Sequence, residues 1–193
     1  MVSYEGKSLM KLVVTEYISL DGVVENPLWI GPYFDDDFLK FKFDELFAGD
    51  ALLMGRHTYD YFIPVWASET PVEDAPGQEG FAARLNQLPK YVVSTTLRTL
   101  TWNNTHVIQE NIIEAVRNLK QQPGGDILVA GSTTLVQTLM QHGLVDEYRF
   151  LIYPVVVGSG QRFFEGQKVD ALSLLESKTF STGVVALTYC PMP

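Results

Sequence analysis

Twice in this chain a short apolar run ends in a single glycine and passes directly into a segment of helical periodicity. Ala51-Leu52-Leu53-Met54 is followed by Gly55 and a helix start near His57, and Ile127-Leu128-Val129-Ala130 by Gly131 and the spaced residues Leu135, Val136, Leu139 and Met140. Continuous apolar runs of this length suit strands buried on both faces, which occur in sheets covered by helices on each side. Such strands are joined by right-handed crossovers into a mostly parallel sheet.

The rest of the chain extends this alternation. Residues 11–18 read as a buried strand, 35–48 as a helix with Asp35, Asp36 and Asp37 at its start, and 91–94 and 105–108 as strands. Residues 78–88 and 111–121 read as helices, and Ser132 as the N-cap of a helix closed by His142-Gly143. A strand is expected over 147–157, interrupted by Pro154, then a hairpin of 172–180 and 184–190. The expected fold is therefore α/β: a three-layer α/β/α arrangement, mostly parallel, with an antiparallel C-terminal hairpin. Residues 1–9 are expected as a flexible extension before a single domain, 10–193, and 66–80 as a loop rich in Pro, Glu and Ser. A chain of 193 residues buries enough surface to fold without a metal or disulfide staple.

Charge and cysteine content narrow the function classes. Lys plus Arg is 14 and Asp plus Glu is 23, a net charge of −9, so a broad nucleic-acid or anionic-membrane surface does not fit. A local Arg can still hold an anion, because salt screens distant charges beyond about 8–10 Å. Cys190 is alone, which excludes an internal disulfide and fits a reducing compartment. Neither a signal-peptide core nor an apolar run of about 18 residues is present, so a cytoplasmic location is expected. His57, His106 and His142 lack metal-ligand spacing, and no metal is expected.

Chemistry can gather at the C-terminal ends of strands, where open α/β sheets bind ligands. Met54-Gly55-Arg56-His57-Thr58 offers a helix N-terminus for one phosphate and an Arg fork for another. Ser94-Thr95-Thr96 adds hydroxyls, and Gly131-Ser132-Thr133-Thr134 a second helix start. Each alone is equally an ordinary turn or a capped helix. Together they suit a ligand with a pyrophosphate and one further phosphate, and NADPH is such a ligand.

Several motifs resemble one superfamily. Met54-Gly55-Arg56-His57-Thr58 is similar to the GRxT cofactor motif of dihydrofolate reductases. Ser19-Leu20-Asp21-Gly22, Gly131-Ser132-Thr133-Thr134-Leu135, Gly143-Leu144-Val145-Asp146-Glu147 and the stretch from Tyr153-Pro154 to Gly158-Ser159-Gly160-Gln161-Arg162-Phe163-Phe164 resemble the riboflavin-biosynthesis reductase branch, here without its fused deaminase. The resemblance implies a dihydrofolate reductase-like fold and NADPH-dependent reduction of a small heterocyclic substrate. Arg56 with Ser94, Thr95 and Thr96 would hold the 2′-phosphate. Thr58 at the first helix start and Gly131, Ser132 and Thr133 at the second would meet the pyrophosphate, with Gly55, His57 and Thr134 also in the cofactor site. Ser19, Asp21, Gly22, Trp29 and Trp66 would border the substrate. Asp21 is the candidate proton donor, with a bound water as the alternative, and Asp37 stands near the acid that grips the pterin in dihydrofolate reductases. A homodimer is implied as well. Two other functions stay open: dihydrofolate reduction itself, and a nucleotide-binding module without turnover.

Overall fold

The computed structural model describes residues 8–67, 79–166 and 171–192. β1 (Leu12–Ser19), β2 (Gly49–Gly55), β3 (Lys90–Val93), β4 (Thr105–Ile108), β5 (Asp126–Ala130) and β6 (Glu147–Tyr153) run parallel, and β7 (Leu172–Thr179) and β8 (Val185–Pro191) add an antiparallel hairpin against β6. The strand order is β4-β3-β2-β5-β1-β6-β8-β7.

Strand alternation sorts the core into layers. Leu12 and Val14, Ala51 and Leu53, and Ile127 and Val129 point to one face, where α4 (Ile112–Lys120) and α5 (Thr133–Gln141) lay Val116, Leu119, Leu135, Val136 and Leu139 over them. Val13, Leu52, Met54, Val92 and Leu128 point to the other. There α1 (Asp36–Ala48), α2 (Arg56–Trp66) and α3 (Phe81–Gln87) contribute Leu46, Tyr59 and Leu85. This is the expected three-layer α/β/α sandwich.

Helix ends follow local chemistry. Asp35 caps α1, its carboxylate accepting from the Phe38 N–H at 2.8 Å. The Leu144 N–H reaches back to the Leu139 carbonyl at 3.0 Å, closing α5 at Gly143. The buried Lys90 donates to the carbonyls of Asn86, Leu88 and Asn103 at 2.9, 2.8 and 3.3 Å, tying the end of α3 to the loop before β4.

Some boundaries differ from the expectation. β6 stops at Tyr153 instead of continuing to residue 157, because Pro154 has no N–H for the ladder and the Val155 N–H folds back onto the Tyr153 carbonyl at 2.8 Å. Residues expected as plain loop after β1 include a 3-10 turn, Leu28–Tyr33. Leu9, assigned to the flexible extension, bridges Pro123, while most of that extension and most of the 66–80 loop lie outside the described residues. Among the described residues no helix is long and apolar enough to cross a membrane.

Candidate functional site

The C-terminal ends of β3, β2, β5 and β1 lie side by side, because these strands are neighbours in that order. The three motifs singled out above follow β2, β3 and β5, so the topology brings them to one edge of the sheet.

The junctions after β2 and β5 are bonded together. The Ser132 hydroxyl accepts from the Gly55 N–H at 2.7 Å and lies 2.7 Å from the Thr58 hydroxyl. Ser132 was expected to cap α5, but it makes no capping bond to its own helix, and its φ of 65° turns the hydroxyl toward α2 instead. Both glycines are matters of space. A Cβ on Gly55 would meet Ser132 Oγ at 3.2 Å, and one on Gly131, where φ is also +62°, would meet Thr58 Oγ1 at 3.2 Å. The two glycines thus leave room for the Ser132 and Thr58 hydroxyls to meet where two helix N-termini converge.

The junction after β3 joins through Arg56, whose Nη1 donates to Thr96 Oγ1 at 3.2 Å while Nε pairs with Asp60 at 3.0 Å. Ser94 Oγ accepts from the N–H groups of Thr96 and Leu97 at 3.2 and 3.0 Å, which sets the turn. His57, Thr95 and Thr134 are exposed, and Thr133 is half-buried.

Beside this edge, at the ends of β1 and β6, is a cavity of about 460 Å³ with an apolar floor of Ile18, Phe150, Ile152 and Phe163. Ser19 and Gly22 line it, as does Arg162. The two tryptophans expected there sit elsewhere. Trp66 packs on Phe81 at 5.6 Å in the cluster beneath α2 and α3, because it is the last residue of α2 and its ring turns inward. Trp29 joins Tyr17, Tyr33, Phe38 and Tyr153 on the opposite face of the sheet, its ring 5.2 Å from that of Tyr153. In that cluster Trp29 Nε1 and the Tyr153 hydroxyl are buried with no partner among the described residues.

The two carboxylates expected to act as acids are also reassigned. Asp37 is exposed in the first turn of α1, where its charge favours the helix dipole. Asp21 is a clamp between loops. Its carboxylate accepts from the Ser19 hydroxyl at 2.7 Å and from the N–H groups of Val157 and Gly158 at 3.0 and 2.8 Å. Arg162 Nε donates to the Asp21 carbonyl at 2.9 Å. The Ser19 hydroxyl, then the two backbone donors, hold the Asp21 carboxyl down to about 2, so it has no proton to give at neutral pH. Because its folded pKa is depressed, the clamp is complete above the ordinary value and lost as pH falls. The carboxyl carbon-13 shift of Asp21 is expected to titrate near 2, and a midpoint at the ordinary 3.8 would refute the clamp.

Sequence reasoning missed Glu16, a buried acid on β1. Its signal was the lone charged residue of that strand, between Thr15 and Tyr17. It also gave Arg162 no role, since the partner it serves lies 141 residues away along the chain.

Comparison with known proteins agrees with this architecture. Residues 10–186 match the RibD C-terminal domain family. YyaP, an uncharacterized protein of Bacillus subtilis (strain 168), is 36% identical over 143 residues, 72% of this chain and 73% of its own. The "Putative riboflavin biosynthesis protein" of Shewanella sp. PV-4 superposes with a TM-score of 0.74 at 18% identity, covering 95% of this chain and 100% of its own. Dihydrofolate reductase from Enterococcus faecalis, in complex with NADP(H) and RAB-propyl, superposes with a TM-score of 0.62 at 13% identity over 95% of this chain and 98% of its own. The chain belongs to the RibD C-terminal domain family and carries the dihydrofolate reductase fold.

Proposed function

We propose that this chain is an NADPH-dependent reductase acting on a small heterocyclic substrate, resembling the 5-amino-6-(5-phosphoribosylamino)uracil reductase of riboflavin biosynthesis. The observation that carries the proposal is the single edge on which Arg56, Ser94 and Thr96 adjoin the glycine-lined starts of α2 and α5. The residues present fit a phosphorylated dinucleotide. Free N–H groups at two helix starts suit a pyrophosphate, and Arg56 with the Thr96 hydroxyl suits the 2′-phosphate.

The nicotinamide, when bound, supplies hydride to a C=O or C=N carbon, and a bound water supplies the proton that the heteroatom takes up. The chain's own residues bind and orient. Ser132 fixes the two helix starts relative to each other, and Asp21 with Arg162 fixes the loop at the end of β1. The exposed position of Asp37 weighs against dihydrofolate reduction, which needs a buried carboxylate facing the pterin.

Cofactor choice tests the reading. Arg56→Ala is expected to weaken NADPH binding by about 10–100-fold, the loss of one charge-assisted phosphate contact, with NADH nearly unaffected. Equal losses for both cofactors, measured by fluorescence titration, would remove Arg56 from the site.

A further inference from the structure

β1 outruns β5. Their pairing ends at Thr15 opposite Ala130, whereas β1 stays paired with β6 as far as Ser19 opposite Tyr153. The first β1 residue past the end of that ladder is Glu16. It lies level with the Gly131 turn on one side and opposite Phe150 on the other. Alternation puts it on the face of Val14 and Ile18, beneath α5. It is 5% exposed, and its Oε1 has no hydrogen-bond partner among the described residues. The flanking Ile18 and Phe150 line the 460 Å³ cavity. Packing does not call for a carboxyl here, since every other residue of β1 on this face is aliphatic core.

The surrounding charges are mostly committed to other partners. Lys42 of α1 is committed to Glu45 and to the Thr15 hydroxyl at 3.2 Å, on the other face of the sheet. Arg149 of β6, on that same far face, is committed to Glu45, Asp126 and Glu147. On the near face, burial keeps Tyr148 of β6 neutral, its hydroxyl pushed up to about 12. Tyr17, next along β1, is pushed up by burial and stays neutral too. α5 carries no titratable residue. Across the cavity, Arg162 is held by the Asp21 carbonyl, and Glu165 is exposed. Burial accordingly pushes the Glu16 carboxyl up to about 8, with Lys42 pulling weakly the other way.

We propose that Glu16 lets the cleft distinguish oxidised from reduced nicotinamide by charge. The inference rests on the cofactor reading above. The oxidised ring is a cation and the reduced ring is neutral, while the phosphates are common to both. A cation lodged at the gap between β1 and the Gly131 turn favours the Glu16 carboxylate, so binding of NADP+ drives the Glu16 proton into solvent. Binding of NADPH leaves the carboxyl protonated. At neutral pH the binding itself must drive that deprotonation, which weakens the hold on the oxidised form and favours release of the spent cofactor.

Both forms would be titrated against the whole chain by tryptophan fluorescence and by calorimetry, from about pH 6 to about pH 9. The affinity for NADP+ is expected to gain on that for NADPH by up to ~10-fold per pH unit until the carboxyl is ionised in the free protein. Calorimetry in buffers of different ionisation enthalpy is expected to show proton release with NADP+ and none with NADPH. Glu16→Gln is expected to flatten the affinity ratio and abolish the release. Parallel profiles for the two forms, without proton release, would overturn the inference and leave the NADPH site standing. Failure of both forms to bind would overturn the site and the inference together. The wild-type proton count decides the matter even where Glu16→Gln does not fold.

Discussion

Arg149→Met is expected to destabilise the protein by about 3–5 kcal/mol, the cost of leaving buried carboxylates without their cation. The guanidinium of Arg149, itself mostly buried, meets Glu45 at 3.4 Å, Asp126 at 3.2 Å and Glu147 at 2.7 Å. It joins α1 and β5 to β6 in one network. Glu45 is the least exposed of the three, its side chain 4% accessible, and it also pairs with Lys42. Burial already raises Asp126 despite the Arg149 charge beside it, so loss of that charge removes the main compensation. Arg149→Lys is expected to recover only part of the loss, because one ammonium cannot serve three carboxylates from a fixed fork. Lys40→Met provides the contrast. Its pair with Asp44 spans 2.7 Å, but the side chains are 70% and 60% exposed, and its removal should cost less than about 1 kcal/mol. Urea unfolding of the three variants gives the comparison. A loss for Arg149→Met no larger than that for Lys40→Met would show the network to be energetically idle.

The second large effect is a dependence of stability on pH traceable to Glu16. In the folded chain its carboxyl holds the proton up to about 8, whereas an unburied glutamate loses it at 4.5. Between those values the folded state binds more protons than the unfolded state, so stability falls as pH rises. Below the window both states are protonated and Glu16 contributes nothing. Above it both are ionised and the burial penalty is complete. Each pH unit crossed within the window costs ~1.4 kcal/mol, so the penalty reaches on the order of 3–5 kcal/mol by its upper end. Glu16→Gln keeps the shape and discards the titration, so it is expected to gain on the wild type steadily as pH rises and to be clearly the more stable protein in mildly alkaline buffer. Taking the difference between the two proteins cancels all other titrating groups. A difference that stays constant across the window would mean that Glu16 ionises normally and is not desolvated.

Most of the fold was legible because its determinants are local. The runs around Leu53 and Val129 are apolar on both faces, which only a helix-covered sheet can satisfy, and the glycines that follow them mark the strand exits. Failures occurred where a distant partner overrode local chemistry. Ser132 reads as an N-cap from its neighbours alone, but the Gly55 N–H, 77 residues away, takes its hydroxyl. Asp21 reads as a turn residue or an acid, and only the fold brings Val157 and Gly158 to it. Trp66 reads as the start of a loop bordering the substrate because the end of α2 cannot be placed from periodicity across Pro64. For the site, sequence identified which segments matter better than which side chains do. Glu16 shows why: its meaning depends on β5 stopping one residue short of it, and nothing in the strand itself records that.

The hydroxyl that bolts α2 to α5 has a practical corollary for anyone wishing to redirect this scaffold. One small side chain fixes the spacing of two helices, so randomising Gly55, Thr58, Gly131 or Ser132 would unsettle the frame before it altered selectivity. Variation is better spent on Leu28, which stands 82% exposed beside the aromatic nest and outside its packing.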